Sequence, residues 1–565
     1  MNLFDLVLAL PAIGFFLILF LPKDNFDLIR KLAFVLSLII FGASLLLIPQ
    51  VMNAPAQMSH VTDVQWISYP NIRYHVGLDG VSLWLVLLST LLTPIAILIS
   101  WDYIDRRQKE FYAVLLVLEF GLIGVFAALD LFLFYVFWEV VLVPMYLMVG
   151  IWGHDRRIYA AVKLFVYTMA GSVLMLGGII YLYNKTGTFD YAALLELMGS
   201  GRLTFTHLES TLLFLAFFLA FAIKVPIFPL HTWLPDAHVE APTPGSVMLA
   251  SVMLKMGTYG LLRFAIPLFP DAARENAPWI VALGIIGIIY GALVALVQPN
   301  IKKLVAYSSV SHLGFVVVGL FSFTQYGLDG AVYIMIAHGI STGALFMLVG
   351  MLYERRHSLD IRDYGGVATP APWLATVFLV TTFASIGLPT LSNFVGEYLV
   401  LQGAAIANFN YAVFAAIGVI LSACYMLWMY QRVFLGRAPG MAETAGGHGH
   451  GAPSHGAPAH GAPDDTHGHG APAHGSHGHA ADHTVAHADA HAGFHMPDLN
   501  AREWAALLPM LALMVIMGVA AQLFLPSISA SNAEALTHTK GSQEQRVKAT
   551  QTADEELAKE LARAR

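Results

Sequence analysis

Cysteine is all but absent from this chain, and charge is scarce. Cys424 is the only cysteine among 565 residues, so there can be no internal disulfide, no CxxC zinc site and no Fe–S cluster of the usual thiolate kind. The chain is therefore expected to hold no cofactor or redox metal of its own. Charged residues make up 12% of the sequence and hydrophobic ones 57%, whereas soluble domains carry roughly a quarter charged residues. With a mean hydropathy of +0.66, most of the chain is expected to face something other than water. The net charge of −7 is modest for this length, and no basic stripe points to nucleic acid. The N-terminus lacks a basic region followed by a small-residue cleavage site. Its apolar run from Leu3 to Leu21 reads as a first transmembrane helix, not a signal peptide.

What the chain has instead is long apolar runs. A helical crossing takes about 20 such residues, and the runs near 3–21, 28–52, 77–100, 111–129, 131–150, 159–183, 209–230, 243–268, 278–297, 302–322, 327–353, 372–405, 409–435 and 503–525 predict an all-α polytopic membrane protein with about 14 transmembrane helices. The run 372–405 is too long for one straight crossing and contains Gly387-Leu388-Pro389, so it reads as a broken helix. Lys224-Val225-Pro226 interrupts another crossing five helices earlier. Paired breaks of this kind mark inverted-repeat transporters. Residues 1–110 are thus expected to form three leading helices, 111–268 and 278–435 two inverted five-helix repeats, and 503–525 a last crossing followed by a polar tail over 526–565. Lys and Arg concentrate in one set of connections (Lys23, Arg30, Lys31, Arg106, Arg107, Arg156, Arg157, Lys302, Lys303, Arg355 and Arg356 among them), whereas the opposite set holds Arg73, Lys185, Arg202, Arg263 and Arg274. The richer set is expected to be cytoplasmic, with the N-terminus outside.

Against this background seven ionisable residues lie deep in apolar runs. At about 1.5 Å per residue, Glu139 and Glu119 fall roughly 12 Å into their helices, Lys255 about 18 Å, and His312 and His338 roughly 15–17 Å. Lys224 precedes Pro226 and Pro229, and Glu397 follows the break at Pro389. A charge at this depth costs at least a few kcal/mol and normally faces protein or water. One buried histidine is more often a structural group. Both signs of charge and two imidazoles at similar depth favour a proton relay, since burial disfavours the charged form of either sign and brings acid and base closer to exchange.

Other polar residues carry plainer readings. Asp130 is expected to cap the helix beginning at Leu131, and Lys163 to reach the interface with its amine. The segment 229–244 offers His231, Asp236, His238 and Glu240 as conceivable metal ligands, but its four prolines favour a kinked connection at the membrane edge. Residues 436–497 turn abruptly to His, Gly, Ala and Pro, as in His448-Gly449-His450 and His477-Gly478-His479. Such a composition builds no packed core and predicts a disordered cytoplasmic loop, with weak metal buffering the alternative to a tolerated insertion. Gln543–Arg565 is a polar helix candidate.

The block Lys224-Val225-Pro226-Ile227-Phe228-Pro229-Leu230-His231-Thr232-Trp233-Leu234-Pro235-Asp236-Ala237-His238, continued by Ala241-Pro242-Thr243-Pro244-Gly245-Ser246, resembles the antiporter-like subunits of respiratory complex I. Tyr307 through Gly314 and His338-Gly339 agree with it. The resemblance covers nearly all of the chain except the His-rich segment and the tail. Glu397, where most relatives carry lysine, points to the M branch of that family. The resemblance implies a proton-translocating membrane subunit of NADH–quinone oxidoreductase in a bacterial inner membrane, beside the antiporter-like subunits L and N and in contact with lipid. It implies that Glu139 pairs with Lys224 with Glu119 as a second carboxylate, that Lys255 is the central relay, that His312 and His338 extend the path, and that Glu397 ends it toward the periplasm. An Mrp-type cation/proton antiporter subunit is the alternative, disfavoured by glutamate at 397. A non-pumping scaffold is disfavoured by the buried Lys224 and Lys255. Deleting residues 446–495 is expected to leave NADH-driven turnover in membranes nearly intact, and a collapse of turnover would show that the insertion is functional.

Overall fold

The computed structural model describes residues 2–436, 496–537 and 539. The His-rich segment lies outside the described residues except at its ends, as does the helix candidate Gln543–Arg565. The described chain is a bundle of helices, and thirteen of the described helices are long and apolar enough to cross a membrane. The leading helices are α1 (Leu3–Phe20), α2 (Phe26–Leu45) and α3 (Ser82–Ser100). They are followed by α4 (Gln108–Ala127), α5 (Leu131–Trp152), α6 (Arg157–Thr186), α7 (His207–Lys224) and the short α8 (Trp233–Glu240). The helical span Thr243–Leu268 is α9. Then come α10 (Pro270–Leu296), α11 (Ile301–Leu320), α12 (Gln325–Arg356), α13 (Pro372–Ser385), α14 (Ser392–Ala407), α15 (Phe409–Phe434) and α16 (Ala501–Val519). The expected crossing over 372–405 is thus two helices, α13 and α14, separated at 386–391.

Local chemistry sets many of the boundaries. Asn2 with Asp5, Thr206 with Glu209 and Asn500 with Glu503 form reciprocal caps that satisfy the free amides opening α1, α7 and α16. Asp130 caps α5 as expected, accepting from the amides of Phe132 and Leu133 at 2.9 Å. Lys163 pairs with Asp236 at 2.6 Å and fastens α6 to α8.

The pattern of burial is inverted relative to a soluble protein. Large apolar side chains such as Phe20, Val166 and Ile420 are exposed, whereas Glu119, Lys255, His238 and His338 are fully buried. In hydrocarbon an exposed apolar side chain costs nothing and an exposed polar one is expensive, so polarity collects inside. The most apolar stretches of α9 and α12 are buried throughout, while those of α1 and α2 are mostly open to the surroundings. Helices α9 and α12 are the centre of the molecule.

Each face of the bundle has its own fastening. On the face bearing the N-terminus an antiparallel hairpin, β1 (Ser59–Ile67) and β2 (Ile72–Leu78), covers the helix ends. No apolar run in the sequence predicts this hairpin. Asn2 donates to the His60 carbonyl at 2.7 Å, Thr62 to Asp5 at 2.9 Å, and His75 meets Asp190 at 2.5 Å. A helix over 525–537 lies on the same face, held by Trp84 donating to Ser527 at 2.9 Å and Asn532 donating to Asp329 at 2.9 Å. On the opposite face Arg355 donates to both carboxylate oxygens of Glu503 at 2.7 Å, and to the carbonyls of Pro497 at 2.7 Å and Asp498 at 3.1 Å. This buried fork ties α12 to the start of α16. Arg355→Ala leaves Glu503 buried without its partner and is expected to cost about 3–5 kcal/mol, read as a lower unfolding midpoint of the purified protein. The double variant Arg355→Ala/Glu503→Ala is expected to lose less than Arg355→Ala alone.

Candidate functional site

The buried ionisable groups meet around α9. Lys255 lies in a short α-helical piece, Leu254–Gly260, flanked by two π-helical turns, Leu249–Met253 and Leu261–Ala265. A π turn puts one more residue into the turn and recurs at functional sites. Here the Lys255 Nζ reaches back to donate to the carbonyl of Ala250 at 2.6 Å and lies 2.8 Å from His338 Nδ1 on α12. The second contact works in both directions. An ammonium donates to a bare Nδ1, and a neutral amine accepts from a protonated one.

From His338 the line continues to α11. The His338 and His312 rings lie 5.8 Å apart, centroid to centroid, and His338 Nε2 has no hydrogen-bond partner. His312 Nδ1 is 3.1 Å from Glu397 Oε1 on α14, and its Nε2 is 3.5 Å from the Tyr425 hydroxyl on α15. The break before α14 makes room for this carboxylate. Gly387 has φ +72°, and a Cβ there would fall 2.6 Å from Glu397 Oε2. Asn393 donates to the Ser385 carbonyl freed at the break, at 3.3 Å, and Ser341 of α12 donates to Asn393 at 3.3 Å.

A second polar centre sits at the other broken helix. Lys224 is the last residue of α7, where Pro226 and Pro229 supply no amides to continue the helix. The Ile223 carbonyl exposed by the break accepts from the Trp233 indole at 2.8 Å. The Lys224 Nζ is buried without a hydrogen-bond partner and lies 5.4 Å from the centre of the Trp138 ring. Glu139, next to Trp138 on α5, is half-buried and near enough for its charge to act on Lys224. The two make no direct ion pair, in contrast to the pairing that the resemblance implies. Glu119 on α4 is buried, and neither of its oxygens makes a hydrogen bond, although Thr93 of α3 faces it.

Two further groups escaped the sequence reading. The segment 229–244 contains a helix, α8, packed between α6 and α11. His238 on α8 is fully buried, stacks on Phe346 at 4.4 Å, and has no hydrogen-bond partner on either ring nitrogen. It lies within electrostatic reach of Lys255 on one side and Lys302 on the other. Lys302, read as a loop charge, is buried in the first turn of α11 and donates to the Ala241 carbonyl at 2.6 Å. At the surface beyond it, burial and then the Lys302 charge hold the His154 imidazole down to about 4, so that ring is neutral at pH 7. The signal for His238 was in its own segment, but proline count outweighed the histidine. Among the described residues no three His, Cys, Asp or Glu side chains converge to hold a metal.

Residues 128–423 match the family model described as NADH:quinone oxidoreductase/Mrp antiporter, transmembrane. The chain is 47% identical over 414 residues to NADH-quinone oxidoreductase subunit M of Rhodobacter capsulatus, covering 72% of this chain and 80% of that one. It superposes with a TM-score of 0.78 on a chain of respiratory complex I from Thermus thermophilus, at 30% identity over 95% of this chain and 99% of the other. A chain of the Mrp complex from a Dietzia species shares the fold, with a TM-score of 0.75 at 20% identity over 96% of this chain and 100% of the other.

The αL position of Gly387 gives a direct test of how the Glu397 carboxylate is placed. Gly387→Ala is expected to cost about 1–2 kcal/mol for the backbone conformation alone. It is also expected to push Glu397 off His312, read as loss of the 3.1 Å contact in a structure of the variant.

Proposed function

Because the chain belongs to the subunit M family of NADH–quinone oxidoreductase, within the broader family that also includes Mrp antiporters, we propose that it carries protons across a bacterial inner membrane as part of that enzyme complex. The observation that carries this reading is the run Lys255–His338–His312–Glu397: four groups able to gain and lose a proton, from four different helices, in an otherwise apolar core. Fixed groups of this kind in a membrane interior are expensive and are retained for charge movement.

In the proposed path a proton enters from the Lys-rich face past Lys302 and His238 and is taken up at Lys255 Nζ. It passes to His338 Nδ1. The His338 Nε2, which has no partner, releases it toward His312, and His312 Nδ1 hands it to Glu397 Oε1. Lys224 and Glu139 act through their charge. With Glu139 ionised the Lys224 ammonium is favoured, and when that balance shifts the positive charge at Lys224 repels a proton on Lys255. Glu119 supplies a second carboxylate to the same helices. The chain does no redox chemistry itself; quinone reduction in other subunits drives the cycle. The Lys- and Arg-rich face is cytoplasmic and the N-terminus periplasmic, and the subunits designated L and N are the neighbours. Glutamate at 397, held by His312, speaks for this reading over an Mrp-type antiporter.

In inverted membrane vesicles Glu139→Ala, Lys224→Ala and Glu397→Ala are each expected to lower NADH-driven proton pumping by roughly tenfold or more, with the complex still assembled. Undiminished pumping in assembled Glu139→Ala and Lys224→Ala complexes would rule out the electrostatic role of this pair, and undiminished pumping in assembled Glu397→Ala complexes would rule the relay out.

A further inference from the structure

Helix α9 keeps an unusual shape along its length, and the reason for it lies some distance from Lys255. A π turn shifts everything beyond it by one residue, or about 100° of rotation. The direction in which Leu254–Gly260 presents its side chains therefore depends on both turns keeping their winding, and so on what holds each end. One end is held by the contacts of Lys255 itself. At the other, Arg263 sits inside the second π turn, and its guanidinium Nη2 donates to Asp79 Oδ2. Its Nε donates to the Tyr259 hydroxyl at 3.3 Å, and that hydroxyl donates to the carbonyl of Phe126 on α4 at 3.0 Å. Asp79 is fixed in turn at the start of α3, accepting from the amides of Val81 at 3.2 Å and Ser82 at 2.9 Å. Both members of the pair line a cavity of about 830 Å³ on the hairpin face, together with His75, Tyr191 and Glu196. Between the two ends, Gly257 and Gly260 press α9 against the broken helix: a Cβ on Gly257 would fall 2.7 Å from the Phe221 carbonyl and 2.9 Å from the Val225 amide. A rotation of this piece would therefore move Lys255 away from His338 and disturb the break beside Lys224 together.

We propose that the Asp79–Arg263 pair, linked through Tyr259, is the positioning device that holds the second π turn and so keeps Lys255 aimed at His338. This rests on the relay reading for any consequence in pumping, but its structural content stands apart from it. Neither residue touches the relay. They act through the rotation of α9.

The test is a cryo-EM structure and a pumping assay of the intact complex carrying Arg263→Met. Relaxation of Leu261–Ala265 toward regular α-helix, with Lys255 Nζ beyond hydrogen-bonding reach of His338, is the expected result. NADH-driven pumping is expected to fall by about 10- to 100-fold, the scale of an ångström-sized misplacement of a reacting group. Arg263→Lys keeps the charge but loses the fork, and is expected to restore part of the activity. Tyr259→Phe removes only the hydroxyl that joins Arg263 to α4. It is expected to displace Lys255 in the same sense with a smaller loss, and it decides the matter should Arg263→Met fail to assemble. An unchanged second π turn with the 2.8 Å Lys255–His338 contact intact in these variants overturns the positioning role, whatever pumping does. A broken contact with pumping at the wild-type rate upholds the positioning role and removes Lys255 from the relay.

Discussion

A lysine nitrogen in the middle of an apolar bundle has to be solvated by the protein that buries it. For Lys255 that solvation is one backbone carbonyl and one imidazole nitrogen, and much of the architecture follows from supplying them. The carbonyl is reached because α9 abandons regular α-helical winding just before Lys255. The imidazole is available because α12 runs fully buried alongside, so His338 meets no competing solvent. Glycines at 257 and 260 allow the close approach to α7 that a larger residue would forbid. Removing either partner leaves the Lys255 nitrogen with an unmet hydrogen bond in a medium that offers no replacement, a cost of about 1–3 kcal/mol.

The two faces of the molecule are fastened differently, and this bears on what can move. The hairpin face is closed by side chains reaching between neighbouring segments, as from Asn2 to His60 and from Trp84 to Ser527. On the opposite face Arg355 gathers Glu503 and two carbonyls, and Lys109, Arg156 and Lys302 add further bonds between segments. Between the faces, both broken helices end on charged or polar side chains inside the bundle, at Lys224 and near Glu397. At each break a side chain donates to a freed carbonyl, Trp233 in one case and Asn393 in the other, beside the backbone bonds from Ile227 to Ala222 and from Leu388 to Phe383.

Much of this was legible in the sequence because depth along an apolar run is a one-dimensional quantity. Counting residues placed Lys255, His312 and His338 near one level, and the prolines after Lys224 and Ile386 located both breaks. What counting cannot give is azimuth, the direction in which a side chain leaves its helix. Glu139 and Lys224 share a neighbourhood but not a contact, and nothing in their spacing distinguishes the two. His238 and Lys302 were missed for a related reason. A short helix of eight residues between prolines has too little periodicity to show which side is buried, and a lysine in the first turn of a helix looks the same in sequence whether it points outward or in. The hairpin was missed because Val64 and Trp66 are exposed, so its alternation does not mark a buried face.

The gap between His338 and His312 has a meaning of its own. The two rings are neighbours without a hydrogen bond between them, and the nitrogen of His338 not engaged by Lys255 is bonded to nothing. On the proposed path, this step is the open contact of a conductor. A membrane that stores a voltage cannot tolerate a continuous wire through its proteins, since charge would leak back whenever turnover stopped. On the proposed path, a circuit that closes only when a ring turns holds that voltage at rest, with an insulating element no wider than one hydrogen bond.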